Sequence, residues 1–269
     1  MKTSALLTST EVASLLGASP TSVKRWADEG LLRCVKTAGK HRRFAQEEVL
    51  RFQREHMTDG LGEDPTDIDG WIDDLVRQRF FQLQARCFAA RHELGSWAAV
   101  CDRLGGVLEA IGARWEAGEL TIGQEHVASQ QLARTLTRIG ETIPVADDAA
   151  VALLLTPAEE EHALGLALAE VALRELGWRP IMVGARTPVD EVTPLLALHR
   201  ADLVAVSASR MLSKKPRLAA VAEALAGQCE PDNVTLVLGG SGAWPEEPRY
   251  GARIHRLTEL ASKVGVAPR

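Results

Sequence analysis

The stretch AAVALLLTPAEEEHALGLALAEVALREL, residues 149–176, decides the fold of the second half of the chain. Its apolar run over residues 149–155 is typical of a buried strand, and residues 156–161 indicate a loop. The apolar spacing over residues 163–176 then predicts an amphipathic helix. One β/α unit of this kind needs neighbours to bury its strand, so the stretch predicts a parallel sheet.

Further β/α units follow along the chain. Apolar runs predict strands at residues 180–184, 202–206, 234–238 and 252–254, with helical patterns between them and after the last. Five units predict a doubly wound parallel sheet with flavodoxin-like order, a Rossmann-like domain over residues 146–269. Ligands of such sheets bind at the carboxyl ends of the strands. That edge should hold residues 159–165, 207–210 and 239–242.

The first of these loops reads Glu160-x-His162-x-x-Gly165. An imidazole on such a loop can coordinate a metal ion, and a carboxylate two residues earlier can fix its tautomer. The spacing resembles the D/E-x-H-x-x-G motif of cobalamin-binding domains. Glu160 stands where Asp is commoner. The later serines and Gly-Gly fall where that family has its S-x-T/L and GG elements, although Ser209 replaces Thr or Leu.

The resemblance implies a cobalt corrinoid held at the sheet edge. His162 would be the lower axial ligand of cobalt, and Glu160 would accept the other ring proton. The nucleotide tail would lie beside the sheet, where glycines leave room for it. The tail contacts implied are Gly165, Ser207, Ser209, Gly239 and Gly240.

The N-terminal residues 1–56 predict a helix-turn-helix head. Thr8 and Glu11 fit a capping box, Gly17 fits a helix stop, and Ser19-Pro20 fits a second helix start. Residues 33–44 indicate a hairpin anchored by Phe44, and residues 47–55 a third helix. The run EVASLLGASPTSVKRWADEGLL with GKHRRF resembles the winged helix-turn-helix of the MerR and excisionase families.

Charge supports a nucleic-acid role for this head. Residues 1–56 contain ten Lys or Arg and six Asp or Glu, a net +4 in a chain of net −5. The second helix would enter the major groove of double-stranded operator DNA and the hairpin would grip phosphates. The alternative is a solvated basic face on a protein-binding domain. The predicted DNA contacts are Thr21, Ser22, Lys24, Arg25, Lys36, Lys40, His41, Arg42 and Arg43.

Between head and sheet, residues 57–70 are rich in Gly and Asp and predict a linker, and residues 71–145 predict a helical bundle cap. Thr121 and Gln124 fit a capping box that starts a new helix. Trp115-x9-Glu125-His126 resembles the W-x9-E-H motif of the CarH/LitR-type repressors. The resemblance implies that these three residues cover the upper, adenosyl face of the corrin.

The resemblance as a whole implies a cobalamin-dependent, light-responsive repressor that binds adenosylcobalamin between cap and sheet and assembles into a dimer or tetramer. Two departures leave the light step open, because Glu116 and Val127 stand where family members have histidines. Two alternatives remain. The same fold could sense another tetrapyrrole or the cobalamin level without photochemistry, or the chain could be a corrinoid methyl carrier.

Composition narrows the class of protein further. The chain of 269 residues contains no apolar run of membrane-spanning length and no N-terminal leader pattern, so we expect a cytoplasmic protein without membrane contact. Its four cysteines are scattered without a zinc spacing. No Ser-His-Asp, zinc or paired-carboxylate arrangement is evident, so we expect a regulator and not an enzyme.

Overall fold

The computed structural model describes residues 6–16, 20–37, 39–56, 67–210 and 215–265. Of the residues at 14, 22, 53–56, 215 and 216 it describes only the backbone. The described residues fall into two compact units, one within Met1–Gly95 and Val107–Thr142, the other within Ser96–Gly106 and Ile143–Arg269. The predicted helix stop at Gly17, the cap at Ser19 and most of the predicted linker (57–66) lie outside the described residues.

The head of the first unit contains three strands and three helices. In chain order these are β1 (Leu7–Thr8), α1 (Ser9–Leu16), α2 (Pro20–Asp28), β2 (Val35–Lys36), β3 (Arg42–Phe44) and α3 (Gln46–His56). The strands form an antiparallel sheet in the order β1-β3-β2, so the predicted hairpin is present.

Local sequence signals explain where the head's elements begin and how they pack. The Glu11 carboxylate accepts the backbone N–H of Thr8 at 2.6 Å, and the Thr8 hydroxyl accepts that of Glu11 at 3.2 Å, which completes the predicted capping box. The predicted anchor Phe44 is fully buried. It packs in one apolar cluster with Val12, Ala13, Leu16, Val23, Leu32, Val49 and Phe52.

Four helices continue the chain. They are α4 (Ile68–Val76), α5 (Phe80–Leu94), α6 (Trp97–Glu116) and α7 (Ile122–Glu141), and α6 begins in the second unit and ends in the first. Helix α4 begins three residues before the predicted start of the bundle, because the Asp67 side chain accepts the Gly70 N–H at 3.0 Å and caps it. Asp67, one of the residues whose composition indicates a linker, therefore serves as a helix cap. The Thr121–Gln124 capping box is present at the start of α7.

The second unit is built on a five-stranded parallel sheet. Its strands are β4 (Val151–Pro157), β5 (Arg179–Thr187), β6 (Leu203–Ser207), β7 (Thr235–Gly239) and β8 (Ala252–Arg253), in the spatial order β5-β4-β6-β7-β8. The interleaved helices are α8 (Leu164–Glu175), α9 (Val192–His199), α10 (Lys215–Cys229) and α11 (Leu260–Val264). All four strand pairings are parallel, as predicted.

Alternate side chains of β4 supply the two faces of this sheet. Val151, Leu153 and Leu155 pack with residues of α9 and α10, and Ala152 and Leu154 pack with residues of α8 and α11. Because both faces are covered, every residue of β4 is buried, which explains the continuous apolar run in the sequence.

The carboxyl ends of β4 and β5 lie further along the chain than predicted. Strand β4 extends to Pro157 and β5 to Thr187, whereas the apolar runs in the sequence predict ends at residues 155 and 184. The extension includes Thr156, which is fully buried and donates its hydroxyl to the Glu160 carbonyl at 2.6 Å. A buried polar residue with a partner continues a strand that an apolar count cannot follow. Among the described residues, no helix is long and apolar enough to cross a membrane.

Candidate functional site

Glu160 and His162 lie together in the loop between β4 and α8. The Glu160 Oε1 atom is 2.5 Å from His162 Nδ1 and accepts the His162 backbone N–H at 2.8 Å. A carboxylate accepts, so it places the imidazole proton on Nδ1 and leaves the lone pair on Nε2. Nε2 has no hydrogen-bond partner among the described residues, and the His162 side chain is 53% exposed. The loop therefore presents one oriented, basic imidazole nitrogen.

The Glu160 carboxylate is fixed by a second loop at the same sheet edge. Its Oε2 atom accepts both the backbone N–H and the hydroxyl of Ser209, each at 2.7 Å. Burial opposes ionisation of this 1% exposed side chain, but the hydrogen bonds from His162 and Ser209 outweigh it and lower the pKa of Glu160. The residue is a buried anion with four donors, which holds His162 in place before any ligand arrives.

The backbone carbonyl of Glu160 is held by hydrogen bonds as well. The Glu160 carbonyl accepts the Thr156 hydroxyl and, at 3.1 Å, the Arg186 N–H. The Thr156 hydroxyl in turn accepts that same N–H at 3.0 Å. Neither Thr156 nor Arg186 was predicted from the sequence as part of the site. A threonine directly after a predicted apolar run and just before a motif is a signal that could have indicated Thr156.

Gly165 at the start of α8, Ser207 at the end of β6 and Gly240 directly after β7 form a second cluster. A Cβ on Gly165 would lie 2.5 Å from the Ser207 hydroxyl oxygen. Gly240 has φ +81°, and a Cβ there would lie 2.3 Å from the Ala208 carbonyl oxygen. At Gly240 the close contact is with backbone and φ is left-handed, so the protein's own packing requires glycine there, whereas at Gly165 a Cβ would displace the Ser207 hydroxyl.

Gly239 differs from the other two glycines. A Cβ at this position would meet Ile254 at 3.6 Å, an ordinary van der Waals contact. The chain's own atoms therefore leave room for a small side chain at Gly239. Any requirement for glycine at this position would have to come from a ligand.

The helical unit contains the other predicted set. Trp115, near the end of α6, is 40% exposed, and the His126 side chain on α7 is 68% exposed. Glu125 accepts the Ser129 hydroxyl at 2.6 Å and lies 4.0 Å from His126 Nε2. Trp115 and His126 are exposed and Glu125 is partly exposed, and the contacts of Glu125 within the described residues are local to α7, in contrast to those of Glu160.

The head exposes a set of polar and cationic side chains on α2 and the hairpin. Exposed positions among the predicted contacts are Thr21, Lys24, Arg25, Lys36, Lys40 and His41. The Ser22 side chain lies outside what the structure describes. Arg42 forms an ion pair with Asp28 and is 20% exposed, and Arg43 donates to the Arg42 carbonyl at 3.1 Å. Arg42 thus links the hairpin to α2.

A corrinoid fits the residues at the sheet edge. The donor set is one imidazole with its second nitrogen held by a buried carboxylate, as an axial metal ligand requires. Among the described residues, no group of three or more His, Cys, Asp or Glu side chains forms a metal-binding cluster. His162, held by Glu160 and Ser209, would bind the metal of a corrinoid, and the Gly165–Ser207 cluster lies at the same edge.

The first comparison with known proteins concerns the head. The helix-turn-helix domain family matches residues 6–57. This part of the chain is a helix-turn-helix domain. All six elements of the head, from β1 to α3, fall inside that match.

Two bacterial repressors of Myxococcus xanthus are similar in sequence. The transcriptional repressor CarH is 36% identical over 97 residues, which are 36% of this chain and 32% of CarH. The transcriptional repressor CarA is 32% identical over 146 residues, 54% of this chain and 48% of CarA. The matches span about a third and about half of these relatives. The resemblance to CarH-type repressors is thereby confirmed.

A corrinoid protein is among the solved structures with a similar fold. The monomethylamine corrinoid protein of Methanosarcina barkeri covers 75% of this chain and is itself covered to 99%, with a TM-score of 0.57 and 18% identity. At this identity the likeness concerns the fold, which includes a parallel sheet.

Proposed function

We propose that this protein is a DNA-binding transcriptional regulator that holds cobalamin through His162. The carrying observation is the Glu160–His162–Ser209 arrangement, because a buried carboxylate that orients an exposed imidazole has no evident purpose in the packing of the sheet. The CarH and CarA similarity and the helix-turn-helix domain support the regulatory role. The corrinoid protein of similar fold supports the sheet as the cofactor domain.

His162 Nε2 is proposed as the lower axial ligand. Glu160 holds the imidazole proton on Nδ1 and so leaves the Nε2 lone pair for the metal, and Ser209 keeps Glu160 in place. Gly165, Ser207, Gly239 and Gly240 are proposed to border the nucleotide tail. Trp115, Glu125 and His126 are proposed for the adenosyl side of the cofactor, and the exposure of Trp115 and His126 without ligand is compatible with that role.

The head is proposed to bind operator DNA. Thr21, Lys24 and Arg25 lie exposed on α2, the helix that enters the major groove in this type of domain. Lys36, Lys40 and His41 on the hairpin would contact phosphates, which adds affinity without sequence readout. Arg42 would act indirectly, by fixing the hairpin to α2.

Assembly is the proposed link between cofactor and DNA. A cofactor-dependent dimer or tetramer would bring several heads onto adjacent half-sites and raise affinity by multivalency. Adenosylcobalamin would supply a cobalt–carbon bond that light can break. The proposed output is repression in the dark and release in light.

The test of the cofactor site is the absorption spectrum of the protein loaded with adenosylcobalamin in the dark. His162→Ala should lose the spectrum of imidazole-ligated cobalt, because no other described imidazole lies at this loop. His199→Ala, at the end of α9, is the matched control and should leave the spectrum unchanged. Identical cobalt ligation in wild type and His162→Ala would overturn the role of His162.

A second candidate is a cobalamin regulator that does not respond to light. Glu116 and Val127 favour it, because neither can supply an imidazole to the upper face. Green illumination of the loaded protein separates the two candidates. Loss of assembly and of DNA retardation favours the photoreceptor, and unchanged assembly favours the second candidate.

Selection of bound sequences from random DNA tests the remaining alternative, a corrinoid methyl carrier. A carrier would enrich no sequence motif, whereas a regulator would enrich its operator.

A further inference from the structure

The turn after β7 is held through its carbonyl oxygens. The Trp244 indole N–H donates to the Gly239 carbonyl at 2.8 Å, and the Arg253 guanidinium donates to the Gly240 carbonyl at 2.8 Å. Longer bonds from Arg253 reach the carbonyls of Leu238 at 3.3 Å and Gly242 at 3.4 Å. One cationic side chain therefore spans the turn and contacts three of its carbonyl groups.

Arg253 reaches the turn from the neighbouring strand. It lies on β8, directly beside Leu238 in the parallel register, and its side chain is half-buried. Burial lowers the pKa of Arg253, although Glu246 and Glu259 act in the opposite direction. The buried Nε of Arg253 has no partner among the described residues. The hydrogen bonds from its two Nη atoms to the carbonyl groups therefore compensate for the water that the guanidinium loses on burial.

These bonds determine where the amide groups of the turn point. In a trans peptide the N–H lies opposite the preceding carbonyl. With the carbonyls of Gly239 and Gly240 directed to Trp244 and Arg253, the Gly240 N–H points away from the Trp244 indole and the Ser241 N–H points away from the Arg253 guanidinium. Neither N–H has an acceptor among the described residues. The turn thus presents two adjacent donors.

We propose that Arg253 is a positioning residue that fixes the turn so that the N–H groups of Gly240 and Ser241 bind the phosphodiester of a corrinoid's nucleotide tail. Adjacent backbone N–H groups in a turn with a left-handed residue form an anion-binding concavity, and Gly240 has φ +81°. The proposal rests on the cobalamin function proposed above. It adds which substituent the turn recognises and which side chain prepares it.

The test compares Arg253→Met with Arg249→Met. Methionine keeps most of the apolar stem and removes all donors. Arg249 is the matched control, because its guanidinium binds the carboxylates of Glu223 and Glu230 and not the turn. The ligands are hydroxocobalamin and cobinamide, which lacks the nucleotide tail, and the second readout is hydrogen–deuterium exchange of residues 239–244 without ligand.

Arg253→Met should weaken hydroxocobalamin binding roughly tenfold or more, because it removes the charge-assisted hydrogen bonds that fix the carbonyl groups of the turn. It should change cobinamide binding by a much smaller factor and speed exchange in the turn, whereas Arg249→Met should do neither. Equal losses for both corrinoids, or an unchanged cobalamin affinity, would overturn the proposal. If the wild type binds cobalamin but not cobinamide, the nucleotide tail supplies most of the affinity. The proposal then stands if Arg253→Met binds hydroxocobalamin more weakly than the wild type, and it fails if the two affinities are equal.

A wild-type protein that binds no cobalamin would instead overturn the proposed function. The exchange measurement still decides whether Arg253 orders the turn, because it is made without ligand. Failure of the function and failure of the inference are therefore distinguishable.

Discussion

The sheet-edge site and the helical motif were both predicted from short motifs, yet they differ in how they are held. Glu160 is 1% exposed and accepts four hydrogen bonds from His162 and Ser209. Glu125 accepts the hydroxyl of Ser129, one turn along the same helix, and Trp115 and the His126 side chain are 40% and 68% exposed. The first set is ordered by the protein itself, and the second has little to order it before a ligand binds.

The physical reason lies in burial. A charge removed from water must be compensated by donors, so a buried carboxylate imposes a defined arrangement on the residues around it. An exposed side chain remains hydrated and imposes none. We therefore expect changes at the sheet edge to alter the free protein, and changes in the helical motif to alter mainly the bound one.

The largest effect is expected from a matched pair at the sheet edge. Gly240→Ala should lower the free energy of unfolding by about 2–4 kcal/mol, because it combines a left-handed backbone with a close backbone contact. Gly239→Ala, whose Cβ would make only ordinary van der Waals contacts with Ile254 and the Val206 carbonyl, should change it by less than about 1 kcal/mol. Urea unfolding measures both, and equal effects would contradict the distinction between the two glycines.

Glu160→Gln comes next. It should destabilise the protein by about 1–3 kcal/mol, since an amide cannot accept all four donors. Cobalamin affinity should fall about 10–100-fold, as for other residues that orient a metal ligand. Glu161→Gln is the control, since Glu161 is 67% exposed and lies 3.9 Å from Arg186, and it should stay within about 0.5 kcal/mol.

The same variant gives the pH dependence a sign. The folded-state pKa of Glu160 is lowered, so its contribution is complete above the ordinary carboxyl pKa of about 4.3 and disappears as pH falls through the lower folded value. The difference in melting temperature between wild type and Glu160→Gln should therefore be constant near neutral pH and shrink in acid. A difference that grows in acid would contradict the assignment.

The smallest effect is expected in the helical motif. Trp115→Phe and His126→Ala should each change the cofactor-free unfolding free energy by less than about 0.5 kcal/mol, because both side chains are exposed. Any loss should appear only as weaker binding of adenosylcobalamin, measured by titration in the dark. A large change in cofactor-free stability would show that this set is held as firmly as the sheet edge.

The fold was largely predictable because its signals are local or periodic. The capping boxes at Thr8 and Thr121 act within four residues, and the apolar runs mark each strand of a sheet covered on both faces. The helical bundle was predicted to begin at residue 71, whereas α4 begins three residues earlier, because Asp67 acts as a cap in a segment whose composition indicates a linker. The predicted ends of β4 and β5 were too early. Thr156 continues β4 as a buried polar residue whose hydroxyl donates to the Glu160 carbonyl and accepts the N–H of Arg186 on β5.

By itself, the sequence determined the residue types at the site: an imidazole two residues after a carboxylate, and glycines and serines at successive strand ends. Only the tertiary structure decided what each one contacts. It shows that Ser209 serves Glu160, that Gly165 makes room for Ser207, that Arg42 binds Asp28, and that Arg253 and Trp244 hold the turn. These contacts join residues far apart in the chain, and no local spacing encodes them.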